Sequence, residues 1–233
     1  MRQIIFDTET TGMNFNSRDK SEGHRIIEIG CVELIDRRPT EHYFHRFINP
    51  EQTIEEDAIR VHGITNERLE KEPTFIEILP DLLAYFEGAD ELIAHNMPFD
   101  QSFLNREFEK AELGYKLEDK FNLTDTLNLA RRKVALTRYN LDSLCKYYGI
   151  DNSNRTLHGA LLDSQLLAEV YLKLTTEQSG LDFQTISGKE AQQNPSLANR
   201  NTIAERSHHD WLNISITEEE RTAHLAILEK IRQ

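Results

Sequence analysis

The order of two periodicities constrains this chain more than any other feature. Three β-type segments come first, and strand–helix alternation follows. Residues 2–6 are a short apolar run that enters Asp7-Thr8-Glu9-Thr10-Thr11-Gly12, which reads as a buried strand ending in a polar loop. Residues 26–35 are rich in β-formers. A turn over Asp36–Thr40 containing Pro39 leads to an alternating aromatic run at 42–48, completing an expected antiparallel meander. Beyond residue 51 the spacing predicts helices over 55–60 and 74–87, a strand at 91–94, and a helix from Pro98, as its first position, to 111. A strand at 121–124 and helices over 125–132, 141–148 and 159–176 follow. Strands first and βα units afterwards imply an α/β chain whose mixed sheet is flanked by helices.

The texture changes after residue 177. Residues 184–208 carry few large apolar side chains, so they cannot bury enough surface to offset the entropy of ordering and are expected to be a flexible linker. A helical tail is expected at 209–233, with Thr217 and Glu220 forming a capping box and Leu225, Leu228 and Ile231 at helical spacing. The expected organisation is one domain over 1–177, a short motif at 178–183, the linker and the tail. Two cysteines, Cys31 and Cys145, are too few for a disulfide framework or a zinc site. With no apolar run near membrane-spanning length, a soluble cytoplasmic protein is expected. Its 27 Lys+Arg against 40 Asp+Glu give a net charge of −13, which argues against a general nucleic-acid binder.

Certain acids and one histidine fall where α/β proteins build sites. Asp7 and Glu9 are two apart on a strand and share a face. Asp100 falls in the first turn of a helix, where an acid also favours the helix dipole. Asp163 opens the last long helix. His158, five residues earlier, would point ~140° away on a continuous helix. Gly159 allows it to stand in the preceding loop and share a cleft with Asp163. Two carboxylates about 4 Å apart repel by roughly 4 kcal/mol at an effective dielectric of 20, so a cluster requires countercharge. Oxygen-only donors select hard cations, Mg²⁺ or Mn²⁺, over zinc. Two such ions can clamp the attacking and leaving oxygens of a phosphodiester, and a neutral histidine can take the proton of an attacking water.

Asp7-Thr8-Glu9, His95-x4-Asp100 and His158-x4-Asp163 resemble the three motifs of the DEDDh family of 3′–5′ exonucleases. Arg25-Ile-Ile-Glu-Ile-Gly, Val61-His-Gly-Ile-Thr65, Asn140-Leu-Asp-Ser-Leu-Cys145 and Ile150 through Asp163 are similar to the proofreading, epsilon-type subunits of bacterial DNA polymerase III. The resemblance implies a ribonuclease-H-like fold with a five-stranded mixed sheet. It implies that Asp7, Glu9 and Asp163 hold the catalytic one of two divalent ions, that Asp7 bridges to the second ion, and that Asp100 supports that ion. His158 would be the general base. Asp7, Glu9, Asp57, His62 and Asp163 would meet the terminal nucleotide of a DNA 3′ end, with Thr8, Thr10 and Phe99 lining the same pocket. His95 carries no expected catalytic role. Gln178, Leu181 and Phe183 fit a bacterial sliding-clamp motif, and the tail is similar to the segment by which such subunits hold the polymerase alpha subunit. A small accessory subunit is a further possible partner, in a replisome of the bacterial cytoplasm. The competing readings are an exoribonuclease with the same catalytic residues and a non-catalytic adaptor between clamp and polymerase.

Overall fold

The computed structural model describes residues 1–176, so the clamp motif, linker and tail lie outside the described residues. The chain begins with β1 (Arg2–Thr10), β2 (Ile26–Ile35) and β3 (Arg38–Phe47), followed by α1 (Glu56–His62), α2 (Asn66–Leu69) and α3 (Phe75–Phe86). Then come β4 (Glu91–Ala94), α4 (Met97–Lys110), a 3-10 turn at Leu117–Asp119, β5 (Asn122–Asp125), α5 (Thr126–Lys133), α6 (Leu141–Tyr148) and α7 (Ala160–Thr175). The five strands form one mixed sheet in the order β3-β2-β1-β4-β5. β1–β2 and β2–β3 are antiparallel, whereas β1–β4 and β4–β5 are parallel.

Alternation along β1 divides the core. Ile4 and Phe6 join the buried cluster that contains Phe75, Leu82 and Phe86 of α3 and Phe103, Leu104 and Phe108 of α4. Ile5 faces the opposite cluster, with Leu141 and Leu144 of α6 and Leu166, Leu167 and Val170 of α7. A sheet covered on both faces explains why β2 reads as a nearly unbroken apolar run. Cys31 and Cys145 are both buried free thiols, as the cysteine count implied.

The structure differs from the sequence expectations in four places. β1 does not end at Phe6; its ladder with β2 continues through Asp7↔Gly30 and Glu9↔Glu28, so the two acids lie inside a strand. The first hairpin turns on Asp36 and Arg37 alone, both with positive φ (47° and 65°), and β3 starts at Arg38. Pro39 is accommodated because β3 is the sheet edge. Pro98 is the second helical residue rather than the first, since α4 starts at Met97. α2 and the 3-10 turn, of four and three residues, are too short to leave a periodic signal.

Two packing features position the site. The β1–β4 ladder ends at Ile5↔Ile93, so β1 runs on past its parallel neighbour, and the chain leaving β4 turns at once into α4 beside the uncovered stretch. On the other face, the start of α7 presses on β2 at Gly30: a Cβ there would lie 2.3 Å from the backbone nitrogen of Leu161. Ser164 Oγ ties the contact by donating to the Gly30 carbonyl at 2.8 Å.

Candidate active site

Asp7 and Glu9 leave β1 on the same side as Ile5, the side covered by α7. Asp163 lies in the first turn of α7, brought down onto Gly30 opposite Asp7. Glu28 holds the same helix start, its Oε2 accepting the Ala160 N–H at 3.1 Å while its Oε1 meets His45 Nε2 at 2.7 Å. Asp100 arrives from the α4 side. It is buried, and the Thr8 hydroxyl donates to its Oδ1 at 2.7 Å. The residue preceding α4, Asn96, has a left-handed backbone (φ 68°) and donates its N–H to Asp125 Oδ1 at 3.0 Å, which fixes the turn that delivers Asp100.

Electrostatics identify the four acids as one group. Burial holds the Asp7 carboxyl well above the ordinary carboxylate range, and the charges of Asp100, Glu9 and Asp163 push it further. Burial, then Asp163, Glu28 and Asp100, raise Glu9 to about 8. Burial raises Asp100 to about 7, against the hydrogen bonds from Thr8 and the backbone. Carboxyls pushed this far above their ordinary range mark a site short of positive charge.

His158 stands in the loop before α7. Gly159 is the extended residue at the helix start (φ −162°), and the His158 N–H donates to the Val61 carbonyl at 3.2 Å. Its Nδ1 lies 3.5 Å from Asp163 Oδ2, and donor atoms of Glu9, His158 and Asp163 fall within 4.8 Å of one another. Burial and the neighbouring Arg155 guanidinium lower the His158 pKa below its ordinary value, which keeps the ring neutral near pH 7.

Arg155 was not singled out from the sequence. Its guanidinium grips Asp163 bidentately, Nε to Oδ1 at 2.6 Å and Nη2 to Oδ2 at 2.7 Å. Nη1 donates to Asp142 Oδ1 at 2.7 Å, and Nη2 approaches His158 Nδ1 at 3.0 Å. Among the described residues, its charge is the one that draws the Asp7 and Glu9 carboxyls back down. Four carboxylates against one guanidinium leave a deficit of positive charge. Carboxylate oxygens carrying that deficit fit hard divalent cations.

Beside the acids is a cavity of about 200 Å³, lined by Thr8, Glu9, Thr10, Asp57, His62 and Phe99 among others. His62 is buried. Its Nδ1 accepts the Ile64 N–H at 3.0 Å, so the ring proton of the neutral form lies on Nε2, which has no partner. Burial also lowers its pKa. The Thr10 backbone carbonyl opposes that lowering, so Nε2–H faces β1 at the cavity wall, near that carbonyl but outside good hydrogen-bond geometry. Asp57 is exposed on the rim, next to Arg60. The Thr10 hydroxyl donates to the Gly12 carbonyl at 2.9 Å, shaping the wall. His95 is spent structurally: Nε2 donates to the Tyr139 carbonyl at 2.8 Å and Nδ1 meets the Thr126 hydroxyl at 2.9 Å. Glu28 and Gly30 belong to the Arg25-Ile-Ile-Glu-Ile-Gly segment that carried the resemblance, but the residues alone assigned neither a role of its own. Gly30 falls on the alternate face of a strand whose neighbours are apolar, and that was the available signal.

A mixed sheet carrying four converging carboxylates, a neutral histidine and a nucleoside-sized cavity defines a metal-dependent nuclease. The exonuclease family matches residues 4–171. The chain is 53% identical over 180 residues to the DNA polymerase III subunit epsilon of Haemophilus influenzae, covering 77% of this chain and 70% of the relative. It is 41% identical over 233 residues to that of Escherichia coli, covering 100% and 94%. Among solved structures, the nuclease domain of 3′hExo, a DEDDh family member bound to rAMP, shares the fold at TM-score 0.62 and 22% identity, over 74% of this chain and 90% of that one. The chain belongs to the exonuclease family, in the group of DNA polymerase III epsilon subunits, and its sheet is the ribonuclease-H-like sheet of DEDDh exonucleases.

Proposed function

We propose that this chain is the proofreading 3′–5′ exonuclease subunit of a bacterial replicative DNA polymerase, removing mispaired 3′-terminal nucleotides and releasing nucleoside monophosphates. The observation that carries the reading is the convergence of Asp7, Glu9, Asp100, Asp163 and neutral His158 beside a cavity the size of one nucleoside. Asp7, Glu9 and Asp163 would hold one divalent ion and Asp7 with Asp100 a second, each Mg²⁺ or Mn²⁺. When bound, the ions would supply the positive charge that offsets the carboxylates and the negative charge developing on the phosphate oxygens.

The remaining steps belong to the chain's own groups. The Thr8 hydroxyl fixes the Asp100 rotamer. The apolar wall provided by Phe99, with Met13 and Val61, receives the terminal nucleoside and excludes water, while His62 Nε2–H donates to it and Asp57 approaches from the rim. His158 accepts a proton from the attacking water. Arg155 lies close enough to Asp163 and His158 to neutralise charge on the phosphate side. A mispaired end unpairs at lower cost and reaches this single-nucleoside cavity more often, which is the source of selectivity.

The tail would bind the polymerase alpha subunit, and Gln178, Leu181 and Phe183 the sliding clamp, with a small accessory subunit as a further partner of the domain. Tethering explains how a chain of net charge −13 meets DNA, because local concentration replaces long-range attraction. The location is then the bacterial cytoplasm, at the replisome; no helix of the described residues is long and apolar enough to cross a membrane. The test is Mg²⁺-dependent degradation of single-stranded DNA by the Asp7→Ala, Glu9→Ala double variant. Loss of activity is expected, and near-normal turnover would discard the assignment. Turnover on DNA and RNA of one sequence distinguishes proofreading from RNA trimming.

A further inference from the structure

We propose that His45 is a positioning residue for catalysis: by holding the Glu28 carboxylate against the start of α7, it sets where His158 and Asp163 stand. This rests on the reading of the chain as a nuclease that uses those two groups. His45 lies on the edge strand β3, two strands away from Asp7 and Glu9 on β1. The ladders bring it within reach. Asp7 pairs with Gly30 and Gly30 with His45, while Glu9 pairs with Glu28 and Glu28 with Phe47. Residues opposite one another share a face of a sheet, so Asp7, Glu9, Glu28 and His45 all leave it on the side that α7 covers. Gly30 leaves the space that α7 enters, since a Cβ there would lie 2.3 Å from the Leu161 nitrogen. Asp7 flanks that space on one side and His45 on the other, with Glu28 diagonal to His45.

Both oxygens of buried Glu28 are engaged. Oε2 accepts the N–H of Ala160, the first residue of α7, at 3.1 Å, and Oε1 lies 2.7 Å from His45 Nε2. A carboxylate has no proton to give, so Nε2 donates. Gly159, at the helix start, has no side chain with which to cap the first turn, and Glu28 supplies the acceptor from across the sheet. Ala160 is fully buried and stands two residues after His158 and three before Asp163, so a shift of its N–H displaces both. The charge of Glu28 already acts on Glu9 and on His62. Released on Oε1, the carboxylate is free to rotate toward Glu9, its partner across the ladder, and away from Ala160. The His45 ring meets Phe47 edge-on, with centroids 5.1 Å apart, and its side chain is 28% exposed. A residue that only packed β3 onto the sheet could be replaced by an apolar side chain of similar size. One that aims Glu28 could not.

The experiment combines turnover and hydrogen exchange in the full-length protein. His45→Leu keeps the bulk and removes the donor. It is expected to lower kcat on a single-stranded oligonucleotide with Mg²⁺ by roughly tenfold, as a displaced catalytic group does, with KM unchanged because other residues line the nucleoside cavity. His45→Gln, whose amide can donate to the same oxygen, is expected to recover most of that loss. In metal-free protein, exchange of the Ala160 amide hydrogen should quicken by about tenfold in His45→Leu and slow again in His45→Gln, the factor expected when one hydrogen bond to a charged acceptor weakens. If His45 acts through Glu28, His45→Leu should cost less than about twofold in a Glu28→Gln background. An undiminished loss in that background, a rate unaffected by His45→Leu, a parallel rise in KM, or no recovery in His45→Gln would overturn the positioning role. A wild-type enzyme inert on the oligonucleotide would instead overturn the nuclease reading beneath it, while exchange at Ala160 would still report the hold of His45 on Glu28.

Discussion

Replacing Glu9 by Gln in the metal-free protein should stabilise the fold in alkaline solution and leave it unchanged in acid. Glu9 titrates at about 8 in the folded chain against an ordinary 4.5, with burial the first cause and Asp163 the second. Below pH 4.5 both states are protonated and the group contributes nothing. Between 4.5 and 8 the unfolded chain releases its proton while the folded chain retains it, so stability falls as pH rises; above 8 the full penalty is present. At ~1.4 kcal/mol per pH unit across that window, the ceiling is roughly 5 kcal/mol. The repulsion is shared with Asp163 and Asp100 and partly offset by Arg155, so the glutamine variant should recover about 2 kcal/mol of it. For a protein of this size each kcal/mol moves Tm by about 2–4 °C, which predicts a gain of roughly 4–8 °C. Calorimetric melting in EDTA at pH 5 and pH 8.5 measures it. A gain at pH 8.5 that vanishes at pH 5 is the expected pattern; no gain at pH 8.5, or an equal gain at both, would refute the clustering argument. Adding Mg²⁺ should raise the wild-type Tm at pH 8.5 by more than that of the variant, because ligand binding to the folded state stabilises it by mass action.

Gly30→Ala forces a methyl group to within 2.3 Å of the α7 backbone, so it should cost about 3 kcal/mol in denaturant melts and weaken Mg²⁺ binding in the fraction that folds. His158→Gln should lower kcat by about 10²-fold or more and remove the acid limb of the pH–rate profile, which in the wild type is expected below the ordinary histidine value because burial and Arg155 lower the ring's pKa. Arg155→Met should lower the Mg²⁺ concentration needed to saturate calorimetric binding, since the guanidinium occupies both oxygens of Asp163.

The sheet and its flanking helices were legible because their signals are local. The run of β-formers along 26–35, the apolar run at 91–94 and the spacing of Leu141, Leu144 and Tyr148 each reside in a few neighbouring residues. Where β1 ends was not legible, because its extension to Thr10 is decided by pairing with β2, about twenty residues away in sequence. The acids could be named from motif and type, yet the sequence could not say that Asp100 reaches them around the free end of the β1–β4 ladder. Arg155 escaped notice for a related reason. A lone arginine in a polar loop resembles any solvated cation, and only the folded chain places Asp142, His158 and Asp163 around it.

That guanidinium clarifies how a fold tolerates such a site. Clustered carboxylates repel, and the chain meets the cost in two ways at once: burial and mutual repulsion push Asp7, Glu9 and Asp100 toward their protonated forms, and Asp163 takes Arg155 as a partner. The framework beneath does not yield to the strain. Glu28 caps α7, Ser164 ties it to Gly30, and Thr8 fixes Asp100. The contacts that seat α7 on the sheet and Thr8 on Asp100 thus also aim the carboxylates that would hold the divalent ions. The cost lies in stability and the gain in preorganisation, since the charge that binds metal is already desolvated and aimed.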